Sequence, residues 1–347
     1  MTTAAALGKP PDLATYPRLR YMGSKYRLVP DLQRIFAKLD FDSALDAFSG
    51  SGVVAYAMKG AGKRVVANDF LHFPATVAAA TTANSTETLS RRDVARITGP
   101  AADGRDFIRS TFAGLYFPDE DLAFLDSAWS HVDRMKGGKR DLAIAALCLA
   151  AARKQPRGVF TFTGFRYDDG RRSLRMPLRE LFAEAVDDYN AAVFDNGRAC
   201  EATNLDVFDV PPGGFDLVYL DPPYAPPRDD NCYVKRYHFL EGLSLYWQGV
   251  EIMENTATRK IRKRFTPFSY KRTVSRALED LFDRFRDSIL VLSYGSNSVP
   301  SAEEIEGLLR RAGRRPRVLE IDHRYSFGTH DQAQRRQATE YVFVCTR

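Results

Sequence analysis

The sequence contains few of the residues that build metal centres and disulfide frameworks. Its 347 residues include four cysteines, Cys148, Cys200, Cys232 and Cys345, and five histidines. The cysteines are widely separated and form no CxxC pair, so neither a zinc site nor a disulfide framework is indicated. We therefore expect no metal ion, and we expect Cys148 and Cys200, which lie in apolar stretches, to be small core residues.

Long apolar runs are also absent. No stretch approaches the length that a membrane-spanning helix requires. The N-terminal residues MTTAAALGKPPDLATYPRLR lack the basic and then apolar layout of a secretory signal. These features predict a soluble protein of the cytoplasm with no membrane partner. A net charge of +6 fits a polyanionic partner, although a balance of this size is weak support by itself.

Strand and helix patterns alternate near both ends of the chain. A strand at 44–48, a helix at 53–59 and a strand at 63–67 predict a βαβ unit of a parallel sheet. The pattern resumes later, with strands predicted at 198–203, 215–220, 288–293, 317–321 and 340–345 and helices at 275–284 and 302–311. The fold class is therefore α/β.

The middle of the chain follows a different pattern. Residues 85–190 alternate helical patterns with polar loops and contain no second series of βαβ units. The segment 158–176 contains an Asp-Gly turn signal and predicts a β-hairpin or an extended loop. We therefore predict a sheet domain made of 18–84 and 195–347, an inserted region over 85–194, and a flexible N-terminal lead-in over 1–17.

A glycine-containing turn follows the first predicted strand. In DAFSGSG, residues 46–52, Gly50 and Gly52 permit unusual backbone angles and the close approach of a ligand. The next strand ends at Asp69, where a carboxylate can hold the hydroxyls of a ribose beyond the carboxyl ends of the strands. The alternative is a plain strand-to-helix turn, and the combination with Asp69 favours a cofactor that contains a nucleoside.

The turn differs from the fingerprint of dinucleotide-binding sites. FSGSG has no third glycine where helix and strand must pack closely, and no cradle for a pyrophosphate is evident. S-adenosylmethionine (AdoMet) contains a ribose and an adenine and no phosphate, so it suits this turn better. AdoMet is therefore the predicted cofactor, and a nicotinamide-dependent oxidoreductase is disfavoured.

The strand predicted at 215–220 ends in the tetrapeptide Asp221-Pro222-Pro223-Tyr224. Asp221 is predicted to point into the same crevice. The prolines fix the backbone and lack N–H donors, so nearby carbonyls remain free to accept. A carboxylate and a carbonyl can both accept from an exocyclic amine, and Tyr224 offers a flat face for a base. A proline-stiffened turn with an Asp cap is the alternative; beside the glycine turn, an amine-methylating site is favoured.

These motifs, in this order, resemble those of the AdoMet-dependent DNA adenine-N6 methyltransferases of the Dam-like, or alpha, group. The resemblance is carried by LRYMGSKYRLVP (19–30), DAFSGSG, VANDF (66–70), the strand end at Asp206 and YLDPPY (219–224). GVFTFTGFRYDDGRR and YVKRYHFLEGL are also similar to modification enzymes of restriction systems, in particular the type that includes the FokI methylase. The resemblance implies a Rossmann-like AdoMet-dependent methyltransferase sheet with a mostly helical target-recognition insertion.

The resemblance also implies roles for individual residues. It places Asp221, Pro222 and Tyr224 around the target adenine. For the cofactor it places Tyr21 and Lys25 beside the methionine part, Asp46, Phe48, Ser49 and Gly50 along the turn, Asp69 on the ribose and Asp206 at the adenine amino group. Tyr21 and Met22 stand where many relatives have Trp and Ala or Pro.

The implied reaction is site-specific transfer of a methyl group from AdoMet to N6 of an adenine flipped out of duplex DNA. A restriction-modification system, with a cognate restriction endonuclease as partner, is implied as the context. Methylation of cytosine C5 needs a thiolate, usually after a proline, and none of the four cysteines follows a proline. Methylation of cytosine N4 or of an RNA base, and a non-catalytic DNA-binding protein on the same fold, stay open as alternatives.

Basic clusters predict the surfaces that contact DNA. The run 259–276 interleaves cations with aromatic residues, which suits contact with phosphates beside a flipped base. Its candidate DNA-binding residues are Lys260, Arg262, Lys263, Arg264 and Lys271. In the insertion, Arg166, Arg171 and Arg172 are candidates for reading guanine edges. For His238, a satisfied structural histidine is at least as good an interpretation as a catalytic one.

Overall fold

One mixed sheet of seven strands organises the computed structural model, which describes residues 12–161, 170–227, 232–324 and 337–346. The strands are β1 (Ser43–Asp46), β2 (Arg64–Asn68), β3 (Glu201–Thr203), β4 (Leu217–Leu220), β5 (Ile289–Gly295), β6 (Arg317–Arg324) and β7 (Gln337–Cys345). Their order is β3-β2-β1-β4-β5-β7-β6. Strands β1 to β5 are parallel, and β7 runs antiparallel between β5 and β6. This order departs from the doubly wound order 3-2-1-4-5-6 only by the inserted β7, so the Rossmann-like prediction is confirmed.

Helices cover the sheet and form a separate layer. Within the described ranges the α-helices are α1 (Val29–Phe36), α2 (Val53–Gly60), α3 (His72–Ala78), α4 (Arg91–Ile97), α5 (Phe107–Thr111), α6 (Asp119–Val132), α7 (Gly137–Lys154), α8 (Arg172–Arg175), α9 (Leu178–Ala192), α10 (Tyr233–Leu245), α11 (Val274–Arg284) and α12 (Ala302–Arg311). A π-helical turn, Ala79–Ala83, extends α3. In the described ranges no helix combines the length and the apolar character needed to cross a bilayer.

The sheet is buried on both faces, as the apolar character of its strands requires. In β4, Leu217 and Tyr219 pack with α1 and α2, whereas Val218 and Leu220 pack with α11 and α12. This alternation follows from the two-residue period of a strand. A parallel strand with apolar residues at every position can be stable only where both faces are covered. The DPPY motif is therefore delivered from a rigid, central strand.

The helical layer is built around α7. Every residue of α7 from Leu142 to Ala152 is buried, as expected for a helix that is apolar on all sides. It packs against α3, α9 and α10. The layer includes the predicted insertion 85–194 and extends beyond it, because α3 and α10 share its hydrophobic core. The predicted domain boundaries stay a prediction.

At two places the observed local structure differs from the predicted one. Residues 162–169 lie outside the described residues, and the described part of 158–176 contains no strand: after Gly170, residues 172–175 are helical. The Asp-Gly signal sets a left-handed turn at Gly170, with φ +78°, that leads into α8 instead of a returning strand. Of the predicted lead-in, residues 1–11 lie outside the described range, while Tyr16 is only 2% exposed and its hydroxyl donates to the carbonyl of Ser51 at 2.8 Å.

Gly52 and Gly62 provide a matched test of the glycine turn. Both are left-handed, with φ +77° and +79°, but a Cβ at Gly52 would lie 2.5 Å from the Tyr16 hydroxyl, whereas at Gly62 it would meet nothing within 4 Å. We expect Gly62→Ala to lower the free energy of unfolding by about 1 kcal/mol, the strain of a left-handed alanine. Gly52→Ala should lose roughly 2 kcal/mol more, because Tyr16 must move from a packed site.

Urea denaturation of both variants measures the difference. Tyr16→Phe should recover part of the loss in the Gly52→Ala background, because it removes the atom that clashes. Equal destabilisation by the two alanines would contradict the steric account.

Candidate active site

A cleft opens at the carboxyl ends of β1 and β4, where the strand order reverses. Its empty space, open mouth included, is about 1000 Å³. The chain leaves β1 toward β2 on one side and returns to β4 on the other, which creates a crevice at this edge of the sheet. The eight predicted cofactor residues and the three predicted catalytic residues all line it: Tyr21, Lys25, Asp46, Phe48, Ser49, Gly50, Asp69, Asp206, Asp221, Pro222 and Tyr224.

The glycine turn is closed by the carboxylate of Asp69. The N–H of Gly50 donates to Oδ2 at 2.8 Å, and the N–H of Leu71 donates to Oδ1 at 2.9 Å. Gly50 has φ +50°, and a Cβ there would lie 2.9 Å from the ring of Tyr21. Only glycine allows that ring to approach the turn so closely. Burial raises the pKa of Asp69 to about 6, although both backbone hydrogen bonds oppose the shift.

Asp46, at the end of β1, keeps one acceptor atom without a donor. It is 1% exposed, and its Oδ2 accepts from the N–H of Ala55 at 3.0 Å. Its Oδ1 and the hydroxyl of Ser49 are buried and have no hydrogen-bond partner among the described residues. Burial, with repulsion from Asp221 next in size, raises the pKa of Asp46 to about 8. An unpaired buried acceptor is costly, so this corner of the cleft suits a ligand that brings a cationic or hydroxyl donor.

The segment 21–23 is fixed to the cleft by helix α10. The ring of Tyr21 stacks on Tyr237 at a centroid distance of 4.9 Å and an angle of 8°. The N–H of Met22 donates to the Tyr237 hydroxyl at 2.6 Å, and the Tyr233 hydroxyl donates to the carbonyl of Met22 at 3.1 Å. The hydroxyls of Ser24 and Ser51 lie 2.9 Å apart and join this segment to the glycine turn.

Asp221 is oriented by donors to one of its two oxygens. Its Oδ1 lies 2.7 Å from the Lys25 ammonium and accepts from the Tyr224 hydroxyl at 3.0 Å. No donor to Oδ2 occurs among the described residues, and the side chain is 17% exposed in the cleft wall. Burial raises the pKa of Asp221 to about 6; the attraction of Lys25 opposes this shift and the repulsion of Glu340 adds to it. The free oxygen is placed to accept a hydrogen bond from a ligand.

Asp206 lines the cleft beside an aromatic group. Its Oδ1 accepts from the N–H of Phe208 at 3.1 Å, an Asx turn that fixes the carboxylate. The rings of Phe48 and Phe268 meet edge to face at 5.2 Å, and Phe208 stacks on Phe268 at 5.8 Å. An acceptor next to apolar rings is a suitable place for a flat heterocycle that carries an amino group.

His238 lies outside the cleft. It is fully buried in the helical layer, where Nε2 is 2.7 Å from the carbonyl of Phe160 and 3.2 Å from the Tyr116 hydroxyl. Burial lowers its pKa to about 4. The structural interpretation of this histidine is therefore the one that the geometry favours.

The candidate DNA-binding residues of the run 259–276 lie in different environments. Arg264 lines the cleft and lies 3.9 Å over the ring of Phe70. Arg262 pairs with Glu251 at 2.7 Å. Lys263 lies 5.4 Å from the Tyr270 ring, Lys260 is partly buried, and Lys271 is exposed. Between the cleft-lining residues Arg264 and Thr266, Phe265 exposes 63% of its surface.

Arg171 and Arg172 line a separate surface depression together with Arg18, Arg20 and Arg153. Arg171 donates to the carbonyl of Gln155 at 3.4 Å, and Arg172 pairs with Glu184 at 2.8 Å. Arg166 lies outside the described residues. The roles of these arginines in recognition stay predictions.

Sequence reasoning missed Glu340. Its side chain is 0% exposed, and its Oε1 accepts from the Tyr224 hydroxyl at 2.5 Å and lies 3.4 Å from the Lys25 ammonium. The available signal was a carboxylate at the head of the apolar run YVFVC, where β-strand patterning predicts no charge. Phe268 and Ser269 also line the cleft and had been considered only as part of a basic run.

Comparison with known proteins gives one family match. The family described as D12 class N6 adenine-specific DNA methyltransferase matches residues 21–97. The chain is 29% identical to the type II methyltransferase M2.HphI of Haemophilus parahaemolyticus, over 95% of this chain and 97% of that protein. It is 24% identical to the type II methyltransferase M.FokI of Planomicrobium okeanokoites, over 94% of this chain and 52% of that protein.

A third relative is the modification methylase LlaI of Lactococcus lactis subsp. lactis, at 24% identity over 84% of this chain and 49% of that protein. The chain therefore spans about half the length of M.FokI and LlaI and nearly all of M2.HphI. The matched residues 21–97 include the segment beside Lys25, the glycine turn and Asp69, three parts of one cleft. Over residues 21–97 the chain is similar to the D12 class of N6 adenine-specific DNA methyltransferases, and along nearly its whole length it is similar to M2.HphI.

Proposed function

We propose that this protein is a site-specific modification enzyme that methylates N6 of an adenine flipped out of duplex DNA. The observation that carries the proposal is the carboxylate of Asp221 in the cleft wall, with Oδ1 beside Lys25 and Tyr224 and with no donor to Oδ2 among the described residues. The names of its relatives favour a restriction-modification system, with a cognate endonuclease as a partner. Since the proposed substrate is the cell's DNA, the proposed location is the cytoplasm.

The cleft has the donor and acceptor chemistry that AdoMet requires. When bound, AdoMet supplies a methyl group on a sulfonium, which makes that group electrophilic without any covalent enzyme intermediate. The unpaired Oδ1 of Asp46 and the hydroxyl of Ser49 are suited to its ammonium group. Asp69 is proposed to hold the ribose hydroxyls, and Asp206, beside Phe48 and Phe268, the amino group of the cofactor adenine. Tyr21 and Lys25 border the methionine end.

Positioning is the main contribution of the proposed catalytic residues. The N6 lone pair of adenine is delocalised into the ring, and hydrogen bonds to Oδ2 of Asp221 and to the carbonyl of Pro222 favour a more tetrahedral nitrogen. Orientation of this kind contributes several kcal/mol. The negative charge of Asp221 also stabilises positive charge that develops on the amine.

Tyr224 is proposed to stack on the extruded base. Its hydroxyl bonds to Asp221 and Glu340 hold the ring at the cleft wall before the substrate arrives. Flipping a base costs a few kcal/mol, and stacking on an ordered ring offsets part of that cost. Because the ring is already fixed, little side-chain entropy is lost when the base binds.

Transfer of tritium from labelled AdoMet tests the function. We expect label on adenine of unmethylated duplex DNA, and not on RNA. Asp221→Asn should lose at least about 100-fold in rate, because the amide keeps an acceptor but loses the charge and offers no base. At a pH of about 9, where Asp46 is mostly ionised in both proteins, its AdoMet affinity should stay within about twofold, since Asp221 is assigned to the base.

Digestion of the labelled nucleic acid to nucleosides identifies the acceptor. Label on N4 of cytosine, or on RNA alone, would show that adenine in DNA is not the substrate. Tight binding to DNA without any label would indicate a non-catalytic protein.

Proton-linked binding tests the assignment of Asp46 to the cofactor ammonium. With a pKa of about 8, Asp46 is mostly protonated at pH 7 in the free protein, and a cationic group must displace that proton. Binding should therefore release a proton, and affinity for AdoMet should rise by up to about tenfold per pH unit as the pH approaches 8. Titration calorimetry in two buffers of different ionisation enthalpy counts the protons. Asp46→Asn should release none, and a pH-independent affinity in the unaltered protein would refute the assignment.

Salt dependence tests the role of the basic run. Affinity for a 30-base-pair duplex should fall steeply between 50 and 200 mM salt, about 10³-fold if six phosphates are contacted. Lys271→Gln should reduce the slope of log K against log salt by about one. Lys38→Gln is the matched control: Lys38 is exposed between α1 and β1, at the amino ends of the strands and opposite the cleft. Fluorescence anisotropy measures the DNA affinity of both variants. Equal slopes for Lys271→Gln and Lys38→Gln would show that Lys271 does not contact a phosphate.

A further inference from the structure

Glu340 is a buried carboxylate that has no role in the reaction as proposed above. It lies in β7, and an ionised group in such a place is costly unless it is paired. Two of its partners belong to the cleft: the Tyr224 hydroxyl at 2.5 Å and the Lys25 ammonium at 3.4 Å. Surface or helix-capping functions cannot explain a charge in this position.

A glycine in β5 leaves space for the contact between Tyr224 and Glu340. Gly295 pairs with Glu340 in the ladder between β5 and β7. A Cβ at Gly295 would lie 3.1 Å from two ring carbons of Tyr224 and 3.7 Å from Oε2 of Glu340. A larger residue would therefore displace the tyrosine from the acid. Gly295, Glu340 and Tyr224 come from three separate parts of the chain and fit together as one unit.

Two donors are each shared between two acids. Lys25 and Tyr224 both contact Oδ1 of Asp221, and both also contact Oε1 of Glu340. Tyr224 has a single hydroxyl proton, which is shared between Oε1 of Glu340 at 2.5 Å and Oδ1 of Asp221 at 3.0 Å, so turning the Asp221 carboxylate would break its contact with Lys25 and its share of this proton. Glu340 keeps both donors in place from the side opposite Asp221.

We propose that Glu340 is a positioning residue for methyl transfer: it anchors Lys25 and Tyr224 against Oδ1 of Asp221, so that Oδ2 alone is presented to the substrate amine. This inference rests on the proposed function of the same site. Glu340 is not among the residues that line the cleft, and it acts on the site through Lys25 and Tyr224.

The charge of Glu340 also affects the pKa of Asp221. Lys25 carries one positive charge against two carboxylates, so its attraction is divided between them. Removal of the Glu340 charge would remove its repulsion of Asp221 and its competition for Lys25, and would lower the pKa of Asp221. The other groups that face Asp221 are Asp46, Asp69, Tyr21, Tyr219 and Tyr224, and these are unchanged by the substitution.

The basicity of Asp221 matters because a proton must leave the amine after methyl transfer. The alkylated amine nitrogen carries one proton too many. Oδ2 of Asp221 can accept it: the N–H bond breaks, its electron pair stays on nitrogen, and an O–H bond forms. A carboxylate paired tightly with Lys25 alone is a weaker base for this step.

Glu340→Gln, which keeps the shape and removes the charge, is the primary test. We expect kcat to fall about tenfold while the Kd for AdoMet, from calorimetry, stays within about twofold. The acid limb of the kcat profile should move to lower pH, since the pKa of Asp221 falls. Tyr224→Phe should move the same limb to higher pH, because it removes a hydrogen bond that stabilises the ionised Asp221.

A buried acid elsewhere serves as the control. Asp126 accepts from the N–H groups of Ile108 and Arg109 and from the Tyr246 hydroxyl, all within the helical layer. Asp126→Asn should lower the melting temperature and leave the pH profile of the folded enzyme unchanged. In the Tyr224→Phe background, Glu340→Gln should lose less activity than it does alone, because one of its two partners is already gone.

Three results would overturn the proposal. These are an unshifted acid limb in Glu340→Gln, an unaltered kcat, or a loss that matches Asp126→Asn in being confined to stability. Should Glu340→Gln fail to fold, Glu340→Asp takes its place: it keeps the charge but withdraws it by one methylene from Lys25 and Tyr224, so kcat should fall while the Kd for AdoMet holds, and an unaltered kcat would overturn the proposal. If the unaltered protein methylates no DNA, the proposed function fails; if it does so and Glu340→Gln matches it, only the positioning role fails.

Discussion

The ion pair between Lys25 and Asp221 is the interaction on which the active site depends. It joins a short helical turn near one end of the chain to the strand that delivers the DPPY motif, across nearly 200 residues of sequence. Both groups are largely buried, and a buried charge left without its partner destabilises a protein by about 3–5 kcal/mol. The segment that contains Lys25 is therefore fixed relative to the DPPY motif.

The charges of the molecule are divided by location. The whole chain carries +6, while Asp46, Asp69 and Asp221 line the cleft and Glu340 lies directly behind Tyr224. A basic surface attracts a polyanion, whereas an acidic cleft attracts a cation. The cleft would repel the pyrophosphate of a dinucleotide and accept the sulfonium and ammonium of AdoMet. Burial is the main cause of the raised pKa values of Asp46, Asp69 and Asp221, and repulsion among neighbouring acids adds to it.

The sequence was sufficient to predict the sheet and most of the cleft, for physical reasons. Strands such as β4 are apolar at every position, and the turns after β1 and β4 contain glycine and proline at fixed positions, so local pattern specifies them. Glu340 was beyond local pattern, because its role depends on a ladder partner, Gly295, 45 residues earlier. The short helix α8 after Gly170 was not predicted, since four residues are too few for a helical period to show in the sequence.

Helix α10 belongs to two parts of the molecule at once. Phe239, Leu240 and Leu243 are embedded in the core of the helical layer, while Tyr237 on the same helix stacks on Tyr21 at the cofactor end of the cleft. The backbone of α10 is kinked at Tyr237, where φ is −112° and ψ is 17°. The kink lies at the residue whose ring reaches Tyr21, while the helical turns after it stay embedded in the hydrophobic core. One bent residue thus sets how the segment 21–23 is held against the helical layer.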